Sequence, residues 1–226
     1  MNILTFFCYL LLSPNYHNNL ETIYADFFDC KKEEYSDYCA NSIQEYKNNV
    51  EFWGIWSLPI GEPSASSNLP DSKSGSYTIE NIIDYDLNTA WVPKGSTNGI
   101  GESFEFEFNF PDNTEYAGAY QFFGICSLFN GYCKSLDIWQ ANSRVKKLKV
   151  YYNDNELCYV ILKDSWHFQS FDIGKYFINK RDKKYLNANY KIENGDVLKF
   201  EIVEVYKGSK YSDVAISEFL CEGAGN

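Results

Sequence analysis

The sequence predicts an all-β domain, either a sandwich or a barrel. Between Ser103 and Phe110, four phenylalanines alternate with polar residues, which is the period of a strand that buries one of its faces. Six more segments have a similar length and composition, whereas the helical turn predicted at Ile79 to Ile83 is short. Many short strands with little helix are typical of sandwiches and barrels.

The predicted elements follow one another closely along the chain. Residues 64–76 are rich in Ser, Pro, Gly and Asn, which predicts a loop. The Asn-Asp-Asn step at 153–155 predicts a hairpin. The six further strands are predicted near Tyr120 to Ile125, Val145 to Tyr152, Leu157 to Leu162, His167 to Ile173, Val197 to Tyr206 and Ala215 to Leu220.

The first 51 residues are predicted to precede the β domain. The apolar run at residues 3–12 is too short for the roughly 20 residues of a membrane span, so residues 1–25 are interpreted as a signal peptide cleaved after Ala25. Residues 26–51 are polar with helical spacing, which predicts a short helical extension. The main domain then covers residues 52–226, and we expect a secreted or cell-envelope protein.

Export would place six of the seven cysteines in an oxidising compartment, because Cys8 lies in the predicted signal peptide. Disulfides are therefore expected. Two pairs of cysteines are close enough in sequence to close short loops, and the last two would then pair by exclusion. A zinc site is the alternative, but the chain has no CxxC motif and neither histidine lies near a cysteine pair. The expected bridges are Cys30 with Cys39, Cys126 with Cys133, and Cys158 with Cys221.

Charge and motif content exclude several classes of function. The net charge of −11 repels phosphate backbones, so nucleic acid is not an expected partner. Of the two histidines, His17 falls in the predicted signal peptide and His167 is predicted to pack within a strand. The chain has no P-loop, nucleophile elbow, HExxH motif or dinucleotide-binding fingerprint. We therefore expect a protein that is not an enzyme.

Four segments together resemble one known family. Residues 77–91 read YTIENIIDYDLNTAW and resemble the Asn-aliphatic-aliphatic-Asp-Gly-Asp-x-x-Thr-x-Trp pattern of discoidin-type domains, which include the C domains of coagulation factors V and VIII. Residues 99–102, 130–146 and 206–218 are similar, in the same order, to bacterial NAD glycohydrolase translocation domains. The resemblance covers residues 52–226 and implies a galactose-binding-like jelly-roll sandwich.

The segment after the predicted helical turn has the chemistry of a calcium loop. Its oxygen-bearing side chains are those of Asp84, Asp86, Asn88 and Thr89. Such a cluster is typical of an Asx turn without metal and also of a hard-cation site. The resemblance implies a structural calcium ion held by Asp84, Thr89 and the distant Glu218, with Asp86 or Asn88 contributing. A tyrosine stands between the two aspartates, where the family has glycine.

Three aromatic residues are predicted to bind the ligand. Phe129, Tyr132 and Trp139 lie between two predicted strands, and aromatic rings exposed at the end of a sandwich stack on sugars or apolar partners. The alternative is that these rings cap the core. We expect a non-catalytic module that binds a glycan or a glycosylated surface. The other hypotheses are a structural or protein-interaction domain of the cell envelope and an accessory, translocation-like partner of a toxin enzyme.

Overall fold

The computed structural model describes residues 20–27, 62–72, 75–94, 98–109, 121–177, 190 and 192–224. These residues form twelve strands, one short α-helix and two 3-10 turns, at Ile79–Ile82 and Gly174–Tyr176. The elements are β1 (Glu21–Tyr24), β2 (Asp26–Phe27), β3 (Ser64–Ala65), β4 (Leu69–Ser72), β5 (Gly75–Tyr77), β6 (Ser103–Glu107), β7 (Gln121–Asn130), α1 (Leu136–Ala141), β8 (Ser143–Tyr152), β9 (Asn155–Ile161), β10 (Gln169–Asp172), β11 (Val197–Tyr206) and β12 (Val214–Ala224). The apolar run of the predicted signal peptide, most of the predicted helical extension, and Cys8, Cys30 and Cys39 lie outside the described residues.

Ten of the twelve strands form two main sheets, and β4 and β5 pair with each other in a separate two-stranded sheet. The first has the order β3-β6-β11-β8-β9-β1 and the second has the order β2-β10-β7-β12. Neighbours within each sheet are antiparallel, except that β1 runs parallel to β9. At one end β12 meets β8 in parallel, through Val214 with Ser143 and Ala215 with Arg144, which joins the sheets. We call this the junction end, and it is where β7 ends and β8 and β12 begin.

Phenylalanine rings from both sheets fill the core. Phe104, Phe106 and Phe108 are fully buried, which confirms the predicted alternation along β6. Phe104 stacks on Phe200 of the neighbouring strand with ring centroids 5.1 Å apart. Phe219 of the second sheet lies 4.7 Å from Phe200, again between centroids. The interior is therefore a continuous aromatic layer, and the predicted all-β class is confirmed.

The six further strand predictions correspond to β7 through β12. β7 continues to Asn130, well past the predicted end at Ile125, so Phe129 is part of the strand. The short helix α1 was not predicted, because six residues are too few for a helical period to stand out in a sequence.

The predicted boundary after Ala25 is wrong, because it falls inside the folded domain. Glu21–Tyr24 pairs with β9 at the edge of the first sheet. Ala25 is buried in the core, and Asp26–Phe27 then pairs with β10 at the edge of the second sheet. Residues 26–27 are thus strand rather than helix. Ile23 and Ala25 have the two-residue spacing of a strand, a signal that the neighbouring apolar run obscured.

The predicted disulfide pairings of the described cysteines are also wrong. Cys221 lies opposite Cys126 in the pairing of β12 with β7, and their sulfur atoms are 3.8 Å apart. Cys158 lies on β9 in the first sheet, and the Cys133 sulfur is 3.9 Å from the backbone oxygen of Asn130. Cys133, Cys158 and Cys221 are free thiols in this structure. Strand pairing, rather than distance along the chain, decides which cysteines are neighbours.

Candidate functional site

A buried asparagine fixes the end of β7 to β8. The Asn130 side chain donates to the Val145 backbone oxygen at 2.7 Å and accepts from the Val145 backbone nitrogen at 2.9 Å. The indole nitrogen of Trp139 donates to the Asn130 backbone oxygen at 2.7 Å. Gly131 follows with φ +104, and a Cβ there would lie 2.6 Å from the Trp139 ring. The connection through α1 is therefore tightly packed at the junction end.

Because of this packing, the prediction that Phe129 and Trp139 bind the ligand is wrong. Trp139 is only 9 % exposed, and Phe129 is fully buried against Phe168, with ring centroids 4.9 Å apart. Tyr132 is half-buried and its hydroxyl donates to the Asn88 backbone oxygen at 2.8 Å. β7 carries Phe129 into the sheet and α1 turns Trp139 inward. The alternative that these rings cap the core is correct for both.

Arg144 anchors the loop that follows β9. Its Nε and Nη2 atoms donate to the two carboxylate oxygens of Asp164, at 2.9 and 3.0 Å. Its Nη1 atom donates to the Asn142 backbone oxygen at 2.8 Å, and the guanidinium carbon lies 4.4 Å from the centroid of the Trp139 ring. Bidentate pairing of this kind fixes orientation as well as position.

The buried side chain of Gln169 clamps the same loop from the other side. Its Oε1 atom accepts from the Lys163 backbone nitrogen at 2.8 Å, and its Nε2 atom donates to the Lys163 backbone oxygen at 3.2 Å. At the tip, the His167 backbone nitrogen donates to Ser165 Oγ at 3.2 Å. The backbone of the loop is therefore fixed at Lys163 and again at its tip.

The tip of this loop and the end of β2 present a cluster of rings and a cation. His167 is exposed on a bend before β10, so its predicted place within a strand is wrong. The Phe27 ring is 45 % exposed and lies edge-on to His167, 5.9 Å between centroids. Lys163 Nζ lies 4.2 Å from the Phe27 centroid and pairs with Asp26. The half-buried Trp166 lies 6.1 Å from His167 between ring centroids.

We call Phe27, Lys163, Trp166 and His167 the loop face. Sequence reasoning missed this set, because Phe27 was assigned to the helical extension and the Trp-His pair to a strand. The available signal was the run Lys-Asp-Ser-Trp-His, in which polar turn residues sit directly before two rings.

The acidic loop, residues 84–89, is organised by its own side chains. Asp84 accepts from the Asp86 backbone nitrogen at 2.9 Å and from the Thr89 hydroxyl at 2.7 Å. Asp86 accepts from the Asn88 backbone nitrogen at 2.9 Å. Tyr85 has φ +57, the left-handed region that glycine adopts most easily. This conformation accounts for the glycine that the family resemblance led us to expect there.

Glu218 of β12 faces the acidic loop. It is fully buried, and neither of its carboxylate oxygens has a partner within hydrogen-bond geometry, although the Asp84 side chain and the Asp86 backbone lie close to it. Burial, and then the nearby charge of Asp84, raises the pKa of Glu218 well above its ordinary value. Buried carboxyl groups normally have partners, so this arrangement fits a bound cation.

The oxygen donors present suit a hard cation such as calcium. Asp84 and Glu218 supply carboxylates, and Thr89 supplies a hydroxyl. Across the described parts of the chain, no three His, Cys, Asp or Glu side chains converge on one metal-binding point. Backbone oxygens would therefore complete the coordination, as they do in many calcium loops.

Comparison with known families identifies the domain. The model of the NAD glycohydrolase translocation F5/8 type C domain matches residues 60–222. The chain belongs to this family. The predicted galactose-binding-like sandwich is thereby confirmed, and this translocation-domain family is a non-catalytic one. In the described residues of this family member, no helix has the length and hydropathy needed to cross a bilayer.

Several solved structures are similar to this translocation-type domain. The CBM32-1 and CBM32-2 domains of ZmpB from Clostridium perfringens have a TM-score of 0.49 at 12 % identity, covering 89 % of this chain and 41 % of that one. The same domains in complex with GalNAc give 0.49 and 12 %, covering 89 % and 40 %. The arabinofuranosyltransferase AftD from Mycobacteria gives 0.41 and 15 %, covering 70 % and 10 %. This chain thus spans less than half of each, and no curated protein matches it.

Proposed function

We propose that this chain is a non-catalytic module that binds a glycan or a glycosylated surface through the loop face. The observation that carries the proposal is the exposed pair of rings formed by Phe27, at the end of β2, and His167, on the loop that Gln169 clamps. An aromatic ring can stack on the apolar face of a sugar, while imidazole and ammonium groups can bond its hydroxyls. Loops on a rigid sandwich are common places for such sites.

The charge around the loop face favours neutral sugars over acidic ones. The ammonium group of Lys163 is already paired with Asp26, and Arg144 is paired with Asp164. The chain as a whole carries −11, which repels sialylated or sulfated ligands. One or two ring contacts contribute on the order of 1 kcal/mol each. A single sugar would thus bind weakly, which favours a surface that offers many copies.

A glycan array with matched variants tests this proposal. We expect the wild type to retain a subset of neutral glycans, and Phe27→Ala and His167→Ala to weaken that binding by about fivefold or more, which corresponds to about 1 kcal/mol. Tyr211→Ala is the control, because Tyr211 is as exposed as Phe27, at 45 %. Loss of binding in Tyr211→Ala with full binding in Phe27→Ala would place the ligand elsewhere. Absence of binding to every glycan on the array would contradict the proposal.

We also propose that the acidic loop and β12 hold a structural calcium ion through Asp84, Thr89 and Glu218, with Asp86 and Asn88 shaping the loop. The unpartnered carboxylate of Glu218 supports this, because a cation would satisfy both of its oxygens. Calcium should raise the melting temperature, since a ligand that binds only the folded state stabilises it. Asp84→Asn should abolish the rise, and an unchanged wild-type melting curve across chelator and millimolar calcium would contradict the site.

The family match favours a second function, which is an accessory role in the translocation of a toxin enzyme. Binding to cells before and after enzymatic removal of surface glycans separates the two functions. Binding that survives deglycosylation would favour a protein receptor and the accessory role. Both functions act at a cell surface, so we also propose that the chain is exported.

A further inference from the structure

Cys126 and Cys221 are direct neighbours across the second sheet. They are register partners in the antiparallel pairing of β7 with β12, so their side chains project to the same face. Their sulfur atoms lie 3.8 Å apart, and both residues are buried in the core.

The backbone at this pair suits a disulfide bond. Residues directly opposite each other in an antiparallel pair have Cα atoms about 4.5 or about 5.5 Å apart. Both values fall within the range of about 4.4–6.8 Å that a disulfide spans. A register shift between Cys221 and Gly223 adds local twist and gives the strand room to adjust. Rotation about χ1 can therefore close the remaining gap between the sulfur atoms.

The other two described cysteines do not compete for this bond. Cys133 lies in the turn after β7, directed at a backbone oxygen, and Cys158 is paired in register with Val150 of the first sheet. Neither of them is a register partner of Cys126 or Cys221, so neither is placed to pair with those residues.

We propose that Cys126 and Cys221 form a disulfide when the chain folds in an oxidising environment, while Cys133 and Cys158 remain thiols. The oxidant is a small disulfide such as oxidised glutathione. One cysteine thiolate attacks it, forms a mixed disulfide and releases one glutathione thiol. The second thiolate then attacks the mixed disulfide, forms the Cys126 to Cys221 bond and releases the second glutathione thiol. The two protons lost by the cysteines balance the two that the released glutathione molecules gain.

This bond would connect distant parts of the chain at a functionally important place. The two cysteines are 95 residues apart in sequence, and long loops gain the most from a crosslink in the chain-entropy account. Cys221 lies three positions after Glu218 on β12. The bond would therefore hold β12 in the place where its carboxylate meets the acidic loop.

Peptide mapping tests the pairing without any variant. The chain is refolded in a mixture of reduced and oxidised glutathione, and the remaining thiols are alkylated in denaturant. Trypsin then yields peptides 95–134, with Cys126 and Cys133; 150–163, with Cys158; and 211–226, with Cys221. Chymotrypsin cleaves after Phe129 and separates the first two cysteines.

We expect the Cys221 peptide to be crosslinked to the Cys126 fragment, with Cys133 and Cys158 alkylated. A crosslink from Cys221 to either of those two cysteines would overturn the proposal. Alkylation of both Cys126 and Cys221 in the refolded protein would overturn it equally.

Melting curves provide an independent readout. Oxidised wild type should melt on the order of 5 °C or more above the reduced protein. Cys221→Ala should abolish this difference, and Cys158→Ala, which also removes a buried thiol, should retain it. No difference in the wild type, or a difference that Cys158→Ala removes, would contradict the assigned pair.

Discussion

Glu218 is the residue whose ionisation would couple this fold to pH and to the proposed calcium ion. Its carboxyl group is buried beside Asp84 without a hydrogen-bond partner, so the folded metal-free protein favours the protonated form. A bound calcium ion would take the place of that proton. Metal binding should therefore release protons and strengthen as the pH rises.

The metal-free protein should lose stability as the pH rises, and Glu218→Gln should remove that loss. The unfolded chain releases the Glu218 proton near its ordinary pKa of 4.5, whereas the folded chain retains it to higher pH. Between the unfolded and folded pKa values the free energy of unfolding falls by up to about 1.4 kcal/mol per pH unit. Urea denaturation in chelator at pH 5, 6 and 7 measures this. The same pH dependence in wild type and variant would refute the assignment.

Trp139→Ala should destabilise the domain strongly rather than reduce ligand binding. The substitution empties a buried site, removes the hydrogen bond to Asn130 and takes away the ring beneath Arg144. We expect a loss of about 3–5 kcal/mol, as for other buried tryptophans. Denaturant unfolding measures it, with Tyr211→Ala as the exposed aromatic control, expected within about 0.5 kcal/mol of wild type. Equal stabilities would mean that Trp139 is not part of the core.

The turn after β7 has no room for a side chain at Gly131. Gly131→Ala adds a Cβ that would lie 2.6 Å from the Trp139 ring and 2.7 Å from Arg144, in a left-handed backbone conformation. Overpacking and strain together should cost about 3 kcal/mol. Gly195→Ala has a similar φ of +85 but no neighbour within 4 Å, so it should cost only about 1 kcal/mol. Thermal melts of the two variants compare them, and a smaller loss at Gly131 than at Gly195 would contradict the packing.

The N-terminal strands close one side of the sandwich. β1 covers the edge of β9, β2 covers the edge of β10, and Ala25 is buried between them. Glu21 pairs with Lys175, and Asp26 pairs with Lys163. This short segment therefore protects both sheets from edge-to-edge association.

Removing residues 1–27 should destabilise the domain and promote self-association. The deletion removes the packing of Ile23 and Ala25 and leaves two sheet edges unpaired, which should cost about 2 kcal/mol or more. Removing residues 1–19 is the control, because it leaves β1, Ala25 and β2 in place. Denaturant midpoints and light scattering compare the two truncations. A monomeric 28–226 fragment with an unchanged midpoint would show that the segment is dispensable.

The alternation of apolar and polar residues predicted the strands well. The strand ends, and with them the exposure of individual aromatic side chains, were predicted poorly. The period of two along β6 and the apolar stretches of β7 to β12 follow directly from burying one or both faces of a sheet. The end of β7 could not be read in this way, because its last residues are held by Asn130 and by the turn at Gly131. Phe129 and Trp139 were placed on the surface for that reason.

The acidic loop was recognisable from sequence and the loop face was not. The former is a local cluster of short oxygen-bearing side chains, and only its distant partner Glu218 needed the family pattern. The latter joins Phe27 to His167 across 140 residues, a proximity that exists only after β2 pairs with β10. Local patterns carry no information on such a contact.

On the scale of the whole molecule, the domain is a rigid aromatic sandwich with its polar chemistry at the junction end. The acidic loop, the loop face and the turn around Gly131 all lie there, and the small cluster that contains Phe129 and Leu87 packs against both Tyr85 and Trp166. Calcium binding at one side of this cluster should therefore stiffen the other side through direct packing. We propose that the ligand binds at this end.

Hydrogen–deuterium exchange with and without ligand tests that claim most directly. It uses unmodified protein, calcium and a glycan retained on the array, and it reports protection of backbone amides along the chain. We expect ligand-dependent protection at residues 163–168 and 26–27, with the turn at residues 153–155, at the opposite end of β8, unchanged as the comparison. Protection confined to residues 153–155, or to the outer face of β8, β9 and β11, would contradict the proposal.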